Sequence, residues 1–68
     1  PMLVIYAGRD TFIDPAWTRA AMARSCKMGT PIEAIFQPEK GHGDVDITAA
    51  LEWMGHRLAG EALKAPCG

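Results

Sequence analysis

The chain has 68 residues, 49% of them hydrophobic and 22% charged, with a formal net charge of −1. That length allows one domain at most, and so short a chain buries a low fraction of its surface. The composition is too apolar for intrinsic disorder, and no apolar run reaches the roughly 18 residues that span a bilayer. With its basic residues scattered and its charge nearly balanced, the chain has no electrostatic basis for binding nucleic acid or an anionic membrane surface.

In chain order, Met2-Leu3-Val4-Ile5-Tyr6-Ala7 is a continuous apolar run closed by Gly8, which predicts a strand over 2–8. Continuous rather than alternating apolarity suits a strand covered on both faces, as in a parallel sheet. No signal-peptide pattern precedes it, and strand-forming residues begin at once, as expected of a chain cut just before a core strand. Asp14-Pro15 predicts the start of a helix over 15–28, with Asp14 accepting from free amides and Pro15 at the first helical position. On that helix Trp17, Thr18, Ala21, Met22, Ser25, Cys26 and Met28 fall on one side, opposite Arg19, Arg24 and Lys27. Gly29 ends it, and Thr30-Pro31 turns the chain into a second strand over 32–37.

Pro38 to Gly43 is a loop rich in turn formers. Asp44 or Asp46 then caps a helix over 46–59, in which Ile47, Leu51, Met54 and Leu58 recur at helical spacing. Gly60 ends it, and 60–68 reads as a tail. Strand, helix, strand, helix predicts an α/β fold, a βαβα unit of parallel strands joined by a right-handed crossover. Such a pair has open edges and is marginal alone, so the pattern is that of the trailing edge of a larger α/β sheet.

The two cysteines, Cys26 and Cys67, leave two readings. Paired, they close a loop of about 42 residues, stabilise the chain by roughly 4 kcal/mol on the chain-entropy model, and imply an oxidising compartment. Unpaired, they are a buried helical thiol and a tail thiol. Pairing is favoured, since Cys67 otherwise sits exposed and reactive near the end.

Two short segments carry the chemistry, Gly8-Arg9-Asp10 after the first strand and Gly41-His42-Gly43 after the second. In open parallel sheets functional side chains gather beyond the carboxyl ends of the strands, and adjacent strands lie about 4.8 Å apart. Loops leaving those ends can bring Asp10 to His42. The carboxylate would hold the Nδ1 proton and stabilise the imidazolium, and the opposite nitrogen would take the proton of a nucleophile. Gly41 and Gly43 are expected to give the loop unusual backbone angles.

Each residue also has a plainer role. Asp10 alone is a common turn residue, and His42 alone a solvated loop histidine; their matched positions outweigh both readings. Asp14 competes as the acid but is more simply a helix cap. Asp44 and Asp46 beside His42 suggest a metal site, yet they lack an established ligand spacing and capping explains them more cheaply. His56, four residues after Glu52, reads as a surface residue with a modest contact along its helix. Trp17 and Trp53 read as anchors where each helix packs on the sheet.

With these residues in view, the chain resembles the C-terminal end of an α/β-hydrolase, and most of all the secretory lipase family. The resemblance runs from Met2-Leu3-Val4-Ile5-Tyr6-Ala7-Gly8-Arg9-Asp10-Thr11 and the later Pro15 to Gln37-Pro38-Glu39-Lys40-Gly41-His42-Gly43. It includes Cys26-Lys27-Met28-Gly29, Ala50-Leu51-Glu52-Trp53-Met54 and Arg57-Leu58-Ala59-Gly60. It implies that Asp10 is the catalytic acid and His42 the catalytic histidine. It further implies carboxylic ester hydrolysis on acyl lipids or related esters, no cofactor, and secretion.

The chain departs from that family in lacking Gly-x-Ser-x-Gly. Its only serine, Ser25, lies within the first helix, and the oxyanion-hole segment would also lie elsewhere. The expected partner is therefore the remainder of a hydrolase domain carrying the serine nucleophile, and the 68 residues alone are expected to be inactive. The alternative function is a small non-catalytic α/β module that binds a partner chain.

Overall fold

The computed structural model describes residues 1–67. It has strand β1 (Met2–Ala7), helix α1 (Pro15–Lys27), strand β2 (Ile32–Gln37) and helix α2 (Thr48–Leu58). The two strands form a parallel sheet with Met2 opposite Ile32 and Ala7 opposite Gln37. The chain is thus a small α/β unit of βαβα topology.

Alternation along the strands assigns a helix to each face. Ile32 and Ala34 line a cleft with Met22 and Ala23 of α1, whereas Glu33 and Ile35 line one with Ala49 and Trp53 of α2. On the α1 face the Tyr6 and Phe36 rings sit 4.9 Å apart, with Arg19 above Phe36. The strongest packing is strand on strand, followed by α1 on β1.

Local chemistry explains the α1 ends. Asp14 Oδ1 accepts the Ala16 amide at 2.9 Å, Pro15 occupies the first turn, and Arg24 and Lys27 sit in the last turn, where positive charge suits the helix dipole. Met28 is the C-cap, one residue beyond the helix, and Gly29 follows in the left-handed region with φ 93°.

Helix α2 starts two residues later than the sequence predicts. Its N-cap is Ile47, which offers no side-chain acceptor; Asp46 instead reaches forward to the Thr48 amide at 2.9 Å. Asp44 caps nothing, because its carboxylate turns back to the Gly41 amide. The segment after Gly60 is likewise more than a loose tail. His56 Nδ1 pairs with Glu61 rather than Glu52, Glu33 accepts the Lys64 amide at 2.7 Å, and a Cys26–Cys67 disulfide ties the segment to α1. Gly68 lies outside the described residues.

The core is small. Among the described residues only Ala7 and Ile32 are buried hydrophobics. Trp17, expected to anchor α1, is 66% exposed, and Met28 on the same predicted packing side is exposed too. The α2 stripe of Ile47, Leu51, Met54 and Leu58 also faces outward, Leu58 being 91% exposed. Trp53 alone behaves as an anchor, half-buried beneath the Arg57 guanidinium. The total accessible surface is 4814 Å², whereas a compact monomer of this mass exposes about 4,200 Å². The radius of gyration, 12.4 Å, likewise exceeds the roughly 11 Å of a compact domain of this length.

Candidate active site

The segment after β1 turns because Asp10 folds back on its own backbone. Asp10 Oδ1 accepts the amides of Phe12 at 2.8 Å and Ile13 at 2.9 Å, an arrangement open to aspartate because its short side chain reaches amides just ahead of it. That leaves Oδ2 directed at the neighbouring loop, where it meets His42 Nδ1 at 2.8 Å. The acid side chain is 12% exposed and the imidazole 49%. The carboxylate is therefore shielded while the histidine remains reachable.

Both loops are held at short range. The Gly8 amide donates to the Gln37 carbonyl and the Arg9 amide to the Lys40 carbonyl, each at 3.0 Å. A Cβ on Gly8 would lie 2.6 Å from the Pro38 carbonyl oxygen and 2.7 Å from its Cα, so glycine is required by close backbone approach. Neither Gly41 nor Gly43 has a positive φ, contrary to the sequence expectation, although a Cβ on Gly41 would lie 3.2 Å from Asp44 Oδ1. Gly41 instead serves through its amide, held by Asp44 Oδ1.

A side-chain clamp closes the base of the His42 loop. Gln37 at the end of β2 donates through Nε2 to the Asp46 carbonyl at 2.9 Å and accepts the Asp46 amide through Oε1 at 2.8 Å. The Phe12 ring lies 5.2 Å from the imidazole centroid, against its side. Ile5, Tyr6, Ala7, Ile13, Thr18 and Val45 line a cleft of mixed polarity beside Asp10 and His42.

The electrostatics suit an ionised acid. The Ile13 amide, the His42 hydrogen bond and the Phe12 amide together hold the Asp10 carboxyl below the ordinary value of 3.8. An ionised Asp10 accepts from Nδ1 and thereby fixes the tautomer that leaves Nε2 free as an acceptor. Nε2 has no hydrogen-bond partner among the described residues. Such a pair can take a proton from a hydroxyl nucleophile and later return it to a leaving group.

The other candidates are differently engaged. Asp14 is the α1 cap, and Asp44 and Asp46 spend their carboxylates on the Gly41 and Thr48 amides. Among the described residues no three His, Cys, Asp or Glu side chains converge as a metal-binding group. Ser25 lies ten residues after Pro15, so about 15 Å along α1 from the end that adjoins Asp10. It stands at the amino end of β2, away from His42. Sequence reasoning did not anticipate Phe12, Ile13 or Gln37. The first two were accessible from Asp10's turn-forming chemistry; the Gln37 clamp had no local signal. Comparisons with protein-family models, with curated proteins and with solved structures found no match to this chain.

Proposed function

We propose that this chain supplies the catalytic acid, Asp10, and the catalytic histidine, His42, of a serine esterase or lipase. One observation carries the reading: the 2.8 Å contact between Asp10 Oδ2 and His42 Nδ1, made across the carboxyl ends of adjacent parallel strands. In this reading the unit is the trailing part of an α/β-hydrolase sheet, and the nucleophile elbow and oxyanion hole belong to residues outside the 68. The substrate is a carboxylic ester with an acyl group, and the Ile5, Ile13 and Val45 side chains in the cleft beside His42 suit that class. Attack by the serine passes its proton to His42 Nε2, Asp10 stabilises the imidazolium, and the same proton goes to the departing alkoxide. The Cys26–Cys67 disulfide supports secretion into an oxidising compartment.

The 68 residues alone are expected to hydrolyse no ester, because acid, base and nucleophile act as a unit. In the protein that carries this chain, Asp10→Asn is expected to lower kcat for a short-chain ester by about 10⁴-fold. Unchanged turnover in that variant would remove the acid from the mechanism. Exposed Trp17, Met28 and Leu58 support a second reading, a non-catalytic module that binds a partner chain. Sequence preceding Pro1 separates the two: the first requires Gly-x-Ser-x-Gly there, and the second gains if that region has none.

A further inference from the structure

The segment after α2 meets the outer edge of β2 at Ile32 and is tied to α1 by one covalent bond. The Met2 amide donates to the Pro31 carbonyl and the Gly8 amide to the Gln37 carbonyl, each at 3.0 Å. With the register of Met2 opposite Ile32, these bonds fix which residues turn into the ladder: Met2, Val4 and Tyr6 of β1, and Glu33, Ile35 and Gln37 of β2. Successive backbone groups of a strand point to opposite sides, so Ile32, Ala34 and Phe36 present theirs to the far edge of β2. The Cys67 amide donates to the Ile32 carbonyl at 2.7 Å, which places residues 63–67 beside that edge.

Few bonds hold this segment. The Lys64 amide donates to Glu33 Oε1 at 2.7 Å, and Cys67 is bonded to Cys26 in the last turns of α1. Against these stand two non-glycine residues in the left-handed region, Ala65 with φ 43° and Cys67 with φ 60°. Among the described residues two hydrogen bonds, from the Lys64 and Cys67 amides, stand against that strain plus the entropy of ordering five residues. The disulfide decides the balance.

We propose that residues 63–67 are a redox-controlled strap: oxidised Cys26–Cys67 holds them over the outer edge of β2, and reduction by a dithiol releases them. Release stops near Leu63, because Glu61 remains paired with His56 Nδ1 and Arg57 still donates to the Ala62 carbonyl. Cys67 is the exposed member of the pair and Cys26 the half-buried one, so attack falls on Cys67 Sγ. One thiolate of the dithiol bonds to that sulfur and expels Cys26 as a thiolate, which takes up a proton. The second thiolate then displaces Cys67, which also gains a proton, and the dithiol leaves as a cyclic disulfide carrying two fewer electrons. The freed Ile32 carbonyl joins the backbone groups of Ala34 and Phe36, which have no partner on that side among the described residues.

The test is amide relaxation by NMR on the protein that carries this chain, before and after dithiothreitol, with mass spectrometry confirming two free thiols. Amide order parameters of Leu63, Lys64, Ala65 and Cys67 are expected to fall from about 0.85 to below 0.6 on reduction, while β1–β2 cross-strand contacts persist. Retention of rigid values after reduction would overturn the strap. So would loss of the β1–β2 contacts in the same step, because the bond would then be a staple for the whole fold.

Discussion

Asp10 works through both of its oxygens, and this division of labour makes the pair directional. Oδ1 is fixed by the Phe12 and Ile13 amides, so Oδ2 can turn only towards His42. The closeness of the two loops rests on Gly8, whose missing Cβ admits Pro38. Gly8→Ala places a methyl group against backbone that cannot yield cheaply. It is expected to lower stability by about 1–3 kcal/mol and to spread the Asp10–His42 contact. Urea unfolding together with the His42 ring shifts would check this; unchanged values of both would show that the loops yield. Gln37→Ala removes both bonds to Asp46 and is expected to reduce kcat about tenfold or more through a looser His42 loop. The same rate with a mobile His42 loop would count against a positioning role.

At the scale of elements, the order, type and pairing partners were legible in the sequence because each rests on local chemistry. The apolar run of β1, the Asp14-Pro15 start of α1 and the i, i+4, i+7 pattern of α2 are all short-range signals. The contact between Asp10 and His42 was legible from placement, since both residues follow strands that lie side by side. What stayed hidden consists of single side-chain contacts that no repeat or strand-end position marks. The clamp from Gln37 to Asp46, the Glu33 bond to Lys64 and the Glu61 partner of His56 have no periodic signature. The α2 start was misplaced because Asp46 reaches the first helical amide from outside the cap position. Amphipathic pattern also cannot say whether a face is covered by its own chain, and the exposed Trp17 and Leu58 are the consequence.

Across the whole molecule, three carboxyls are tuned in one direction. Amides at Ile13 and Thr48 are the largest influence on Asp10 and Asp46, and the His56 hydrogen bond is the largest on Glu61; each is held below its ordinary value of 3.8, 3.8 and 4.5 respectively. A carboxyl whose folded value is depressed adds stability that is complete above its unfolded value and is lost as pH falls through the folded one. The urea midpoint is therefore expected to hold from about pH 7 to about pH 5 and to drop steadily below about pH 4. A midpoint that rose on acidification would reverse the sign. Under the proposed function the exposed apolar faces are covered by the part of the domain that brings the serine. The most direct test is covalent labelling of the protein that carries this chain with a serine-reactive organophosphonate, followed by peptide mapping. The adduct is expected on a serine outside residues 1–68, forming at least about a hundredfold more slowly in His42→Ala. An adduct on Ser25, no adduct at all, or an unchanged rate in His42→Ala would contradict the account.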